Sequence, residues 1–150
     1  MKISQIGFTD NDFLLIREVR KVVFFDEMGI PESEIFDNLD EESDHFIFIE
    51  KNRVIGSVRL RHIENYIKLE RMVIYREFRL QSFGHDAIKQ IIDHYKRKKV
   101  TKIVLDSIYD IRDFYKKCAF IEVGKVFDPV SYTHLRAHET LRYLVCRLLL

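Results

Sequence analysis

The 150-residue sequence predicts an α+β chain built around a mixed sheet. Between His45 and Tyr75, three consecutive segments alternate apolar and polar residues with the period of half-buried strands. Beyond Gly84 the period lengthens to that of an amphipathic helix, and each of two such stretches is followed by a short β-rich run. Five Gly and two Pro are too few for a linker-dominated or collagen-like chain.

Taken in order, Ile3 to Phe8 reads as a short strand. Thr9 or Asp10 is placed to cap the next helix, where a side-chain oxygen satisfies a free backbone N–H. Leu15, Ile16, Val19, Val22 and Val23 recur at helical spacing. Phe24 to Pro31 leaves that helix, because Pro31 opposes its continuation. Glu32 to Asp44 is acidic, with Ile35, Phe36 and Leu39 as its only large apolar residues, and reads as a short helix and loop. His45 to Glu50 (HFIFIE), Val54 to Arg61 (VIGSVRLR) and Tyr66 to Tyr75 (YIKLERMVIY) form an antiparallel meander, with Lys51-Asn52-Arg53 as its first turn. Ile88, Ile91, Ile92 and Tyr95 mark a helix that Lys96-Arg97-Lys98-Lys99 ends, where cations complement the negative end of the dipole. Lys102 to Leu105 (KIVL) is a buried strand. Ile111, Phe114, Tyr115 and Cys118 form a second stripe that Asp110 can cap, and Phe120 to Phe127 (FIEVGKVF) is a last strand. The order is β-α-(α)-β-β-β-α-β-α-β, with no internal repeat and no second folded domain.

Composition narrows the function. Hydrophobic residues at 47% and charged residues at 33% can fill a core and keep a wetted surface, which excludes wholesale disorder. No apolar run approaches the ~20 residues of a membrane-spanning helix. MKISQIGFTD has no apolar signal-peptide core. Two cysteines, Cys118 and Cys146, make no disulfide framework, so a cytoplasmic protein is expected. His45, His62, His85 and His94 lack metal-ligand spacing, and no metal is expected. The net charge of +1 hides a segregation: nine acids and no Lys or Arg from Asp26 to Asp44, then fourteen bases against five acids from Lys51 to Lys102. Either two solvated faces carry opposite charge, or a basic site for a polyanion adjoins an acidic site for a cation.

The segment Arg71 to Gly84, RMVIYREFRLQSFG, runs from a strand through a turn into a helix. The first turn of a helix carries unpaired N–H groups and partial positive charge, which suits phosphate. Gly84 permits close backbone approach, and Arg76 and Arg79 add charge. An ordinary strand-to-helix turn has the same spacing.

Arg79-Leu80-Gln81-Ser82-Phe83-Gly84 resembles the coenzyme A motif Arg-x-x-Gly-x-Gly/Ala of the GCN5-related N-acetyltransferases (GNAT). Leu69-Glu70-Arg71-Met72-Val73-Ile74 resembles that family's splayed fourth strand, and Asp113 to Phe120 (DFYKKCAF) its late FYxxxGF motif. Arg20, Phe24, Glu27, Asp37 and Asp40 resemble the N-terminal part of a small bacterial branch. The resemblance spans about residues 12–128 in matching order. Two departures stand out. Ser82 occupies the first Gly position, where a Cβ costs ~1 kcal/mol if φ must be positive, and Ala119 replaces the late Gly.

The resemblance implies a layered α/β/α fold with antiparallel N-terminal strands and a splayed β4/β5 pair. It implies an acetyl-CoA-dependent N-acyltransferase acting by direct attack of a primary amine in a ternary complex. Backbone of Met72, Val73 and Ile74 would bond the pantetheine arm like an added strand. Amides of Leu80, Gln81, Ser82, Phe83 and Gly84, with Arg79, would cradle the pyrophosphate. The Val73 amide would polarise the thioester carbonyl, and Tyr115 would protonate the departing thiolate. Glu70 is the candidate base, or else an ion-pair partner of a neighbouring Arg. Tyr115 could instead be a core aromatic. Cys118 reads as packing, His85 as solvated, and Asp106 as facing the acceptor or capping a loop. The acidic arm would adjoin the acceptor entrance, which favours a cationic acceptor, a polyamine or a lysine-like amine. The acceptor is a small molecule or a peptide; no nucleic acid or membrane partner is implied, and a homodimer is compatible.

Two other readings remain. Acyl-homoserine-lactone synthases are similar through Arg20, Phe24, the acidic stretch and Arg59, and Ser82 is compatible with a non-catalytic acyl-CoA-binding module. Nucleic-acid binding has only Lys96 to Lys99 in its favour, without an aromatic pattern. Finally, residues 130–150 differ from the rest. Val130 to Thr140 and Leu144 to Leu150 resemble a translated sequencing adapter, so the acetyltransferase-like domain is expected over residues 1–129, followed by a non-native tail. The closing strand of the family's sheet is then expected to be missing or replaced.

Overall fold

The computed structural model describes residues 1–127 and 142–150. Its strands are β1 (Lys2–Ile6), β2 (Asp44–Glu50), β3 (Arg53–Ile63), β4 (Tyr66–Ile74), β5 (Lys102–Ile108), β6 (Ile121–Phe127) and β7 (Tyr143–Leu149). Its helices are α1 (Phe13–Arg20), α2 (Glu32–Ile35), α3 (Phe83–Arg97) and α4 (Arg112–Lys117). The strands form one sheet in the order β1-β2-β3-β4-β5-β7-β6. The expected meander is present: β2 to β4 pair antiparallel in sequence order, and β1 joins at the edge. Lys51 (φ +47°) and Asn52 (φ +62°) close the first hairpin with two left-handed residues, the geometry that matches the twist of paired strands.

Both faces of the sheet are covered. Phe46, Phe48, Val58, Leu60, Leu69 and Leu105 pack with Ile88, Ile91 and Tyr95 of α3 and with Tyr115 of α4. On the other face Ile47 packs under Phe13 and Ile16, and Val73 under Val19 and Val23. The polar side of β3 is therefore interior too, and Ser57 and Arg59 are fully buried.

Three local expectations change. Asp10 does not cap α1; its carboxylate accepts the Gly7 amide at 2.6 Å, and the cap position falls to Asp12 without a side-chain bond. The helix does not end before Phe24 but widens into a π-helix, Lys21–Glu27. Asp110 lies within a 3₁₀ turn, Tyr109–Ile111, so α4 starts from Ile111 without a side-chain cap.

Two irregularities shape the centre. β4 and β5 are parallel and pair over only Ile67–Leu69 against Ile103–Leu105, after which they diverge. The β3–β4 register slips between Ser57/Val73 and Arg59/Glu70, so β4 carries one extra residue there, and Arg71 takes φ +53°. That β-bulge in a non-glycine residue is backbone strain of ~1–3 kcal/mol. Of the tail, residues 130–141 lie outside the described residues. Residues 143–149 form β7, which pairs with β5 and β6, so the closing position in the sheet is filled by tail residues.

Candidate active site

The divergence of β4 and β5 opens a cavity of about 310 Å³ through the sheet. Glu70, Arg71 and Met72 line it from β4, and Leu105, Asp106 and Ile108 from β5. Phe24 and Met28 reach it from the π-helix and the turn after it, and Tyr115 from α4. Of the two residues expected to act chemically, Tyr115 and Glu70, both line this cavity.

Tyr115 is buried to 7% exposure, with its ring edge-on to Phe114 (4.9 Å) and Phe120 (5.9 Å). Its hydroxyl has no hydrogen-bond partner among the described residues. Burial, then the nearby Cys118 and Cys146 thiols, push the phenol well above its ordinary value, so it stays protonated. The core and cavity readings of Tyr115 therefore coincide.

Glu70 is held differently from the base expected of it. Its carboxylate accepts four hydrogen bonds, from Arg59 Nε (3.1 Å) and Nη2 (2.7 Å) and from Arg61 Nε (2.9 Å) and Nη2 (2.9 Å). Burial pushes its pKa up, but the bonds and charges of Arg61 and Arg59 outweigh that and hold it below the carboxylate range. A carboxylate so satisfied is a weak base, and Glu70 sits as the ion-pair partner.

Arg59 is the hub of a buried network that the alternating pattern of β3 assigned to solvent. It also bonds Asp37 and, at 3.0 Å, Asp40. Asp40 accepts Arg20 Nη1 through both oxygens (2.9 and 3.0 Å). Arg20 Nη2 donates to His45 Nδ1 at 3.1 Å, while His45 Nε2 donates to the Asp40 carbonyl at 2.7 Å, which fixes a neutral tautomer. Arg20, Asp40, His45 and Arg59 are each 2% exposed or less. Burial pulls Arg20 down to about 10 against one carboxylate, whereas three carboxylates drive Arg59 above its ordinary value despite burial. A signal for this network existed: Arg20 falls on the apolar stripe of α1 between Val19 and Val23.

Three acids of the arm are consumed in the same way. Asp37 pairs with Arg59, Asp40 with Arg20 and Arg59, and Asp44 with His62 (2.8 Å) and the Tyr95 hydroxyl (2.7 Å). Arg71 ties α2 to the bulge through the Glu34 carbonyl (2.8 Å) and the Ile35 carbonyl (3.3 Å). Asp37 and Asp40 thus build the floor of the site, while Glu34, whose Oε2 is buried without a hydrogen-bond partner among the described residues, and the exposed Glu41 and Glu42 stand outside these pairs.

The strand-to-helix loop has the expected form with altered details. Leu80 (φ +60°) and Ser82 (φ +66°) are both left-handed. The Asp86 amide makes the first helical bond, to the Ser82 carbonyl at 3.0 Å, so the earlier amides of the turn have no helical acceptor. Ser82 makes no side-chain cap bond. Gly84 leaves room for a ring: a Cβ there would stand 3.0 Å from Phe114 Cε2 and Cζ. Arg79 is engaged, donating to the Ile74 carbonyl (2.9 Å) and to Glu27 (2.8 Å). Gln81 donates to the Glu77 carbonyl at 2.7 Å.

The role expected of the Val73 amide does not fit the strand phase. The Tyr75 amide donates to the Ile55 carbonyl at 2.9 Å, and Val73 pairs opposite Ser57. The Tyr75 and Val73 backbone groups therefore face β3, while those of Ile74 face the open edge. Of Met72, Val73 and Ile74, only Met72 lines the cavity. His85 is half-buried, its Nδ1 3.2 Å from Cys118 Sγ and its ring 4.8 Å from Phe114. Burial pushes the Cys118 thiol up to about 11, which keeps it inert. Asp106 stands on the wall, paired to Lys68 at 3.0 Å.

A Bacillus subtilis protein described as an acetyltransferase is 29% identical over 133 residues, covering 85% of this chain and 88% of its own. A solved structure from Lactobacillus plantarum, described as an N-acetyltransferase, superposes with a TM-score of 0.83 at 14% identity, covering 100% of this chain and 99% of that one. A GNAT acetyltransferase of Elizabethkingia anophelis, solved with acetyl-CoA bound, gives 0.79 at 14% identity over 99% and 97% of the two chains. Residues 13–120 match the family model described as "Acetyltransferase (GNAT) family", and this chain belongs to that family.

Proposed function

We propose that this protein moves an acetyl group from acetyl-CoA to a primary amine by direct attack in a ternary complex. The observation that carries the reading is the cavity between the diverging β4 and β5, with the left-handed Leu80–Ser82 loop and open first turn of α3 beyond β4 and the Tyr115 ring on its wall. Unpartnered amides in successive turns form a concave anion cradle, which suits a diphosphate. On the open edge of β4 the Ile74 amide suits a carbonyl of a pantetheine arm, the Ile74 carbonyl being held by Arg79. Acetyl-CoA supplies the thioester carbon that the amine attacks.

The chain's own groups then divide the work. The bulge at Arg71-Met72, rather than Val73, takes the polarising role, because both its residues line the cavity and Val73 does not. The amine reaches the cavity as an ammonium of pKa ~10.4 and must lose a proton to become a nucleophile. Its nitrogen bonds to the carbonyl carbon, the C–S bond breaks, and Tyr115 gives its hydroxyl proton to the departing sulfur. Solvent takes the protons leaving nitrogen and restores the phenol. Glu70 holds Arg59 and Arg61 in place.

Calorimetry with coenzyme A, followed by thiol release from acetyl-CoA with an amine panel, tests the reading. Coenzyme A binding plus amine-dependent thiol release is expected. Binding without release from any amine would leave only an acyl-CoA-binding module.

A further inference from the structure

The acceptor side of the cavity carries a chemical preference, and the inference rests on the transferase reading above. Lys68, Glu70 and Asp106 share the sheet face under α1 and α2, because Glu70 pairs opposite the buried Arg59 and Lys68 bonds Asp106. On that side the wall is Phe24, Met28 and Ile30, and it continues as Ile108 at the end of β5 and Ile111 beyond it. The charged groups there are already engaged. Glu70 is saturated by Arg59 and Arg61, and Arg71 by two backbone carbonyls and Asp37.

Asp106 is the exception. One oxygen meets Lys68 at 3.0 Å; the other has no partner among the described residues, and the side chain is 34% exposed. The wall therefore offers one acceptor site for a cationic nitrogen and an apolar surface beside it. A second ammonium would have to be buried against Phe24, Met28 and Ile30 without a counter-charge, which is strongly unfavourable.

We propose that the acceptor is a primary monoamine on an apolar body, an alkyl or aralkyl amine, with its nitrogen at Asp106 and its body against Phe24, Met28 and Ile30. Asp106 binds the ammonium, and a water between them can carry away the proton whose loss makes the nitrogen nucleophilic. This assignment replaces the polyamine expected from the acidic stretch.

The test uses phenethylamine and spermidine as probes. Each is titrated calorimetrically into the full chain, with and without coenzyme A, and assayed separately for thiol release from acetyl-CoA. Phenethylamine should bind at least about tenfold more tightly than spermidine, the discrimination an apolar pocket gives against a misplaced polar group. Ile111→Glu adds an acid to the wall at a residue 47% exposed, where folding is insensitive to the change. It should lower phenethylamine affinity and raise spermidine affinity, reversing their order. Equal or tighter spermidine binding to the unaltered protein, or no binding of either amine, overturns the proposal. Binding of phenethylamine without thiol release from any amine would sink the transferase reading and leave the apolar-amine site standing. Acetylation of other amines, with phenethylamine neither bound nor acetylated, would do the reverse.

Discussion

Replacing Tyr115 by Phe separates chemistry from architecture, because the hydroxyl has no hydrogen bond among the described residues while its ring is wedged between Phe114 and Phe120. Phenylalanine keeps that packing and leaves no buried partner behind. Folding stability should therefore move by no more than ~0.5 kcal/mol, as for substitutions that break no named interaction. In a chain of this size that is a Tm shift of about 1–2 °C. Coenzyme A affinity should stay within about twofold, since the hydroxyl is not part of the Leu80–Ser82 cradle. The effect falls on kcat. Loss of a positioned acid lowers the rate by about 10²–10⁴, or roughly 3–5 kcal/mol in barrier height. Thiol release under saturating amine reads kcat, calorimetry reads coenzyme affinity, and urea unfolding reads stability. Because burial and the adjacent thiols raise the phenol above its ordinary value of 10.0, it remains an acid throughout the neutral and mildly alkaline range. The wild-type rate should accordingly climb with pH as the amine deprotonates, with no falling limb below about pH 10. Unchanged kcat with weakened coenzyme binding, or a Tm drop beyond ~5 °C, would remove Tyr115 from the chemistry.

Four further outcomes follow from the geometry. Arg59→Leu strips Asp37, Asp40 and Glu70 of a shared partner and should destabilise the fold by about 3–5 kcal/mol, read by denaturant titration; a loss under ~1 kcal/mol would show the network to be dispensable. His45 lies below its ordinary 6.5 because it is buried, with the Arg20 and Arg59 charges adding to that effect. The unfolded chain then takes up a proton that the folded one resists, so stability present above that pH is lost as pH falls below it. Tm should drop on acidification from about pH 7 to pH 5, and less steeply in His45→Asn. Ser82→Gly removes a Cβ from a left-handed residue that makes no cap bond, which should raise stability by up to ~1 kcal/mol without weakening coenzyme A binding; a fall in either would mean that the serine contributes directly. Gly56→Ala drives a methyl into the Val73 carbonyl and the Phe48 ring, and thermal unfolding should show a loss of about 1–3 kcal/mol.

Periodicity carried most of the architecture. The switch from alternation in Val54–Arg61 and Tyr66–Tyr75 to the Ile88–Tyr95 stripe marked β3, β4 and α3 because each buries one face in a regular way. It failed where burial is two-sided. Ser57, Arg59 and Arg61 read as a wetted row, but α1 and α2 cover that side, and Arg59 became the most heavily bonded side chain of the site. The π-helix is illegible in the sequence because its fit depends on the sheet beneath it, and Pro31, which opposes continuation, does not mark where the coil ends at Glu27. The bulge at Arg71 had no glycine to announce it; the staple holding its backbone comes from α2, more than thirty residues earlier. At the site itself, Tyr115 and the Arg79–Gly84 loop were found by motif, and so was Glu70, but motif does not report partners. Only the register of β3 against β4 shows that Glu70 is opposite Arg59 and that the Val73 amide is turned inward.

The widened coil at Lys21–Glu27 has an evolutionary corollary. A π-turn holds one residue more than an α-turn over the same span. Deleting a single codon there would let the coil tighten to an α-turn while the residues before and after it keep their phase. Phe13, Ile16 and Val19 would stay on the sheet, and the position that Phe24 holds on the cavity wall would pass to a neighbouring side chain. A one-codon length change there would thus alter the wall at one point while leaving β4, β5 and Tyr115 in place.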